Sequence, residues 1–261
     1  MAVNVGLTTT WALRTENGRF AYSSGVVQNG LIMNLDFSKP LCYPARFFTE
    51  SSTTTFDLTN QNINGTLIGN PTYNTQNGGY FSFNGTSQYI RGPIPQANLS
   101  DQTVQLWVDI QNLTQTRPLL GFGSSNFGPW FLQLQNPNEV QVGRTSVLTD
   151  NNFFNNRRLN YFERPATTGW KFISVVKGTT LDTIMYENIS TVPSFGSGGG
   201  TNQATTQNFT FISAAPIPTL FANDPPQFGQ NSIAHVMVYN RKLTLAEITQ
   251  NYNATKSRFG L

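Results

Sequence analysis

Charge is scarce in this chain. Of its 261 residues only 11% are Asp, Glu, Lys or Arg, against roughly 25% in ordinary soluble domains. The net charge is +3 and the basic residues are dispersed, whereas nucleic-acid binders gather them on one face. The densest group, Arg157-Arg158 with Arg164, reads as a solvated loop, so neither DNA nor RNA is expected as a partner. A single cysteine, Cys42, excludes an intrachain disulfide. A single histidine, His235, makes any Ser/His/Asp or Cys/His site depend on that one residue. No stretch approaches the ~20 apolar residues of a membrane helix. The opening MAVNVGLTTTWALRTENGRF lacks a basic start followed by an apolar run. These absences predict a soluble chain made in the cytoplasm, with no membrane partner.

What is present points to strands. Asn, Gln, Ser, Thr and Gly supply the polar surface, while 38% apolar and 13% aromatic residues are enough for a core. Thr favours strands, and Asn and Gly favour turns. Residues 1–28 read as an extended polar arm with scattered aromatics at Trp11, Phe20 and Tyr22. From residue 29 to 261 one domain is expected. Its first strand, GLIMNLDF, alternates Leu31, Met33 and Leu35 with Ile32, Asn34 and Asp36. In Thr103–Val108, Val104, Leu106 and Val108 share one face and Trp107 lies on the other. Further short strands follow at the spacing of a sandwich, ending with Ile233–Tyr239. Ser197–Gly200 lacks the Lys-Ser/Thr of a phosphate loop. Thr244 with Glu247 forms a capping box that opens a C-terminal helix, with Leu245, Ile248 and Tyr252 on one face.

The order of these pieces resembles the laminin-G-like, concanavalin-A-like jelly roll of the kind found in tailed-phage virion structural proteins. The resemblance runs from about Gly30 to Leu261. It rests on GLIMNLDFSKP with FDLTNQNINGTL, on the turn in FSFNGTSQYI, on TVQLWV and GWKFISVVKGTT, and above all on IAHVMVYNRKLTLAEI. The tail NYNATKSRFGL is similar to endings of tailed-phage virion proteins. The resemblance implies an all-β fold: a two-sheet antiparallel β-sandwich with an N-terminal arm and a short C-terminal helix. Many members bind calcium, which needs about six to eight oxygen ligands. Here Asp36, Asp57, Asp150 and Asp224 form no acidic cluster. Asp57 with Asn60, Asn62 and Asn64 is the most oxygen-rich run and reads as an Asx-rich turn that holds its own backbone. No cofactor is expected.

Chemistry is equally thin. Glu50, Glu139, Glu163, Glu187 and Glu247 are isolated, without the paired carboxylates of a glycosidase. His235 reads as a surface or interface side chain, and no Gly-x-Ser-x-Gly elbow accompanies it. The expectation is a non-enzymatic phage virion structural protein, a capsid decoration or cement protein or another particle-surface component. Its partners would be other virion proteins, such as the major capsid or tail protein, in a symmetric or homo-oligomeric assembly. Trp11, Phe20 and Tyr22 are the candidate assembly contacts, since aromatics bury large area at low entropic cost. The alternative is a lectin-like tail-fibre adhesin for host glycans, with Trp130, Asn152, Phe153 and Phe154 as a sugar platform.

Overall fold

The computed structural model describes residues 15–16, 19–20, 25–46, 52–93, 101–110, 117–124, 127–136, 139–145, 157–164, 167–177, 183–197, 209–214 and 228–261. Within the arm, β1 (Thr15–Glu16) pairs antiparallel with β2 (Arg19–Phe20). The intervening dipeptide is Asn17-Gly18, the pair that two-residue hairpin loops favour. The arm is therefore not extended throughout.

The strands that follow are β3 (Leu31–Asp36), β4 (Thr54–Thr55), β5 (Gly65–Ile68), β6 (Thr72–Asn74), β7 (Tyr80–Ser82) and β8 (Tyr89–Pro93). Next come β9 (Gln102–Ile110), β10 (Arg117–Ser124), β11 (Phe127–Asn136), β12 (Glu139–Thr145), β13 (Arg157–Glu163) and β14 (Gly169–Lys177). The series closes with β15 (Ile184–Glu187), β16 (Ser190–Val192), β17 (Ser194–Ser197), β18 (Phe209–Ile212) and β19 (Ser232–Tyr239). A helix, α1 (Leu245–Thr255), runs into a 3-10 turn at Lys256–Phe259.

Every pairing among the described strands is antiparallel, and apart from the β1-β2 hairpin they form two large sheets. One has the order β17-β13-β12-β11-β10-β18-β8-β5-β4, and the other the order β16-β15-β14-β9-β19-β7-β6, with β3 also paired to β19. Period-2 alternation aims one set of side chains from each sheet at the other. Leu106, Val108, Ile173, Val175, Val236 and Val238 thus meet Ile90, Leu120, Leu132, Leu134, Val140 and Ile212 in one core. Each is 2% exposed or less, and burying such a side chain contributes roughly 1.5–3 kcal/mol. The expected sandwich is confirmed, with one local change of phase. β19 pairs Val238 with Met33 and then Tyr239 with Leu31, skipping Ile32. That irregularity puts Ile32 in the inter-sheet core and Leu31 on the other side.

Candidate functional site

The eight-stranded sheet buries residues on its outer face as well. Trp107, Phe172, Val176, Ala234, Met237 and Tyr239 form a second cluster there with Val26, Val27, Leu243 and Ile248. The cover is α1 with the 3-10 turn behind it. Thr244 caps the helix as expected: its hydroxyl accepts from Glu247 N, and the Glu247 carboxylate accepts from Thr244 N at 2.9 Å. The packed face differs from the expected one. Leu245 is 49% exposed, and the buried residues are Ile248, Asn251 and Thr255. The polar pair faces inward because the otherwise apolar sheet below offers it polar partners. Asn251 Nδ2 donates to Gln105 Oε1 at 2.6 Å and to Tyr239 Oη at 2.9 Å, while its Oδ1 accepts from Val27 N at 2.7 Å. Trp107 Nε1 donates to Thr255 Oγ1 at 2.8 Å. The segment Lys256–Leu261 is likewise no loose tail. Phe259 stacks on Trp107 with ring centroids 4.1 Å apart, and Arg258 donates to Asp36 Oδ1 at 2.8 Å.

The acids with the best-defined partners among the described residues hold structure together. Burial alone would raise the Asp36 pKa, but His235, Arg258, the Ser38 hydroxyl and Lys39 bring it from 3.8 to about 2. Asp57 accepts from the backbone N–H groups of Asn34, Thr59 and Ile63 and from the Thr59 hydroxyl. It is the expected Asx-type turn. Glu187 pairs with Arg164 at 2.6 Å, joining the end of β13 to β15. Arg164 is 2% exposed, so the solvated-loop expectation fails for it. Its guanidinium also donates to Thr167 O, so its charge and donors are used inside the protein. The Arg241 guanidinium, bonded to Glu247 at 2.5 and 3.0 Å, overcomes desolvation and, with Thr244, brings the Glu247 pKa from 4.5 to about 2.

His235 is also buried, against expectation. Its Nε2 lies 2.7 Å from Asn34 Oδ1, and its Nδ1 has no hydrogen-bond partner among the described residues. Burial pushes its pKa from 6.5 down to about 4, with the Asp36 carboxylate opposing and Arg258 and Lys39 adding. Burial raises the Cys42 thiol as well, leaving it a poor nucleophile. Among the described residues, no group of three or more His, Cys, Asp or Glu is placed to hold a metal ion.

Beyond the cover, toward β6, the same outer face carries a polar row. Trp170 pairs with Asp109, Asp109 with Ser232, Ser232 with Ser82, and Ser82 with Thr72, one residue from each of five strands. Thr72 is exposed, Asp109, Ser82 and Trp170 are half-buried, and Ser232 is buried. The two serine hydroxyls are 2.9 Å apart, and Asn74 Nδ2 donates to Ser82 Oγ at 3.0 Å. The Tyr80 and Trp170 rings meet edge to face at 5.1 Å, although two strands separate β7 from β14. No residue of this row had been picked out by sequence reasoning. Alternation gives each residue its side of a strand, but register between distant strands decides which residues become neighbours.

Of the residues predicted from sequence, Trp11, Tyr22, Asn152, Phe153 and Phe154 lie outside the described residues. Phe20 ends β2, in register with Thr15. Trp130 lies in β11 opposite Phe122, which belongs to the inter-sheet core. Thr145 and Arg157, which flank the segment carrying Asn152–Phe154, pair with each other at one end of β12 and β13. Phe131, next to Trp130, pairs with Gly143, two residues from Thr145. The strand ends that flank the segment therefore lie near Trp130 along the sheet.

The family model described as "Concanavalin A-like lectin/glucanases superfamily" matches residues 84–249, more than half of the chain. The chain belongs to this superfamily. No curated protein matches the sequence. Among solved structures, the chain is similar to the receptor binding domain of botulinum neurotoxin C/D mosaic serotype, with 13% identity and a TM-score of 0.62 over 86% of this chain and 51% of that one. It is also similar to a Trypanosoma rangeli sialidase in complex with sialic acid, with 15% identity and a TM-score of 0.61 over 94% of this chain and 36% of that one. At these identities the likeness is one of fold. The chain spans about half the length of the toxin domain and about a third of the sialidase.

Proposed function

We propose that this domain is a non-enzymatic recognition module, which works by contact and leaves its partner chemically unchanged. The observation that carries the reading is the outer-face row, in which Asp109 is the single carboxylate among hydroxyls and an aromatic pair. Two-carboxylate glycosidases need a second acid across the scissile bond, about 5–9.5 Å away. Asp36, Asp57, Glu187 and Glu247 are tied into structural bonds. The described cysteine and histidine are both buried within the protein.

Two settings suit such a module. The first is the surface of a phage particle, as a capsid decoration or similar component bound to neighbouring virion subunits. Low charge and the ending NYNATKSRFGL support it, as does the way the arm enters the domain. Gly25 O accepts from Gln250 Nε2 and Val27 O accepts from the Tyr239 hydroxyl, so residues 25–27 are seated against α1 and β19. The second is a tail adhesin for host glycans, which the superfamily and the Tyr80–Trp170 pair favour. Incorporation of the purified chain into tail-less capsid shells at fixed stoichiometry supports the first setting. Retention on glycans together with exclusion from shells supports the second. Steady conversion of a substrate by the purified chain overturns the module reading itself.

A further inference from the structure

We propose that the C-terminal segment Lys256–Leu261 is an acid-released cover, held shut over the buried imidazole of His235 and set free when that imidazole takes up a proton. Such a response to acidity is separate from what the domain recognises, and the two are tested apart. Asp36, His235 and Trp107 are cross-strand neighbours in one row over β3, β19 and β9. The segment roofs both ends of that row. Arg258 Nη1 donates to Asp36 Oδ1 at 2.8 Å, and Phe259 stacks on Trp107 with ring centroids 4.1 Å apart. His235, between them, is fully buried. The same guanidinium also donates to Asn77 O and Gly79 O, so one side chain makes several of the segment's bonds.

The pocket suits only a neutral ring. Asn34 Oδ1 accepts hydrogen bonds and cannot donate them, so the 2.7 Å contact places the proton of the neutral ring on Nε2. Nδ1 then carries a lone pair, and it has no hydrogen-bond partner among the described residues. A second proton would make Nδ1 a buried donor facing no acceptor and would leave a charge out of water. Burial opposes that charge most, Arg258 on the turn and Lys39 beyond β3 oppose it further, and Asp36 on β3 favours it. The Asp36 carboxylate is already taken by Arg258 and Ser38. Of the other titratable groups nearby, Asp57 accepts from Asn34 N, burial keeps the Cys42 thiol neutral, and Asp109 lies two residues along β9 from Trp107, opposite Ser232. The covered ring therefore has a pKa of about 4, whereas an uncovered one titrates near 6.5. Between those values the uncovered form binds the extra proton, so a falling pH draws the segment open. Once Arg258 lifts away, water and the released Asp36 carboxylate solvate the imidazolium. The helix keeps separate holds, through Ile248 in the apolar cluster and through Asn251 on Gln105, Tyr239 and Val27.

Hydrogen exchange of the full chain is followed by mass spectrometry, with each rate referred to the intrinsic rate at that pH. From about pH 7.5 to about 4.5, opening over residues 252–261 should rise roughly 70-fold, the ratio that the depressed imidazole yields. Peptides from β9 and β19 should keep their protection over the same range. In His235→Gln, which retains a donor toward Asn34, the rise should disappear. NMR titration of the unmodified chain, whose single histidine gives one imidazole signal, keeps the test decisive if that variant fails to fold. Its midpoint should lie well below 6.5. An imidazole that titrates at its ordinary value overturns the proposal, as does a segment that stays closed at the acid end. Equal loss of protection in β9 and β19, or a rise that persists in His235→Gln, overturns it too.

Discussion

The two faces of the eight-stranded sheet are buried by different means. The inner face meets the second sheet through aliphatic and aromatic side chains such as Leu106, Val236 and Phe81. The outer face is covered by a helix and a 3-10 turn, and the seal mixes stacked rings with directed hydrogen bonds, donated by Asn251 and Arg258 and accepted by Thr255 from Trp107. Apolar burial is tolerant of detail, whereas a buried polar bond holds one geometry and is costly to leave unmade. The inner face thus supplies the bulk of the stability. The outer face fixes where residues 25–28 and the C-terminal segment run.

Mutations can break this contrast in graded steps. Phe81 is fully buried and its ring lies within 5.2 Å of those of Phe37, Tyr43 and Tyr73. Phe81→Ala should cost about 3–5 kcal/mol in denaturant unfolding, as one cooperative transition. On the outer face, Arg258→Met strands the Asp36 carboxylate, and a loss of about 3 kcal/mol is expected. Pairing it with Asp36→Asn should recover much of that loss. Hydrogen exchange in Arg258→Met should rise first over residues 245–259 and leave β9 and β19 protected.

Acid sharpens the contrast further. The folded-state pKa of His235 is depressed to about 4 from 6.5, so between those values the unfolded chain binds more protons. Stability therefore falls as pH drops from 6.5 to 4, by roughly 3 kcal/mol in all. Asp36 adds a second loss as pH falls from 3.8 through about 2, since its folded-state pKa is also lowered. His235→Gln should flatten the first window and leave the second in place, measured by denaturant midpoints at successive pH values. The smallest effect belongs to the helix cap: Thr244→Ala should cost about 1 kcal/mol.

Much of the fold was legible because period-2 alternation is a local property. The strands from Leu31 to Tyr239 and the Thr244–Glu247 capping box follow from residues adjacent in the chain. What escaped involves partners far apart in sequence. Arg164 read as a surface charge because its partner Glu187 is 23 residues away on another strand. His235 read as an exposed strand residue because Asn34 and the Arg258 cover arrive from the two ends of the domain. Asn251 and Thr255 are polar and so stand outside the apolar set Leu245, Ile248 and Tyr252, yet the bonds they make are to Gln105 and Trp107, 146 and 148 residues away. The polar row escaped for the same reason, since its five residues are spread from Thr72 to Ser232. A pairing clue was present in the arm, where Asn17-Gly18 marks a hairpin inside a segment otherwise read as extended.

The most direct measurement incubates the purified chain with a mixed panel of neutral and sialylated glycans and follows both retention and mass over time. Contact without chemistry predicts that every glycan is recovered at its original mass. A shortened or desialylated product that accumulates with time, and vanishes in Asp109→Asn, contradicts it.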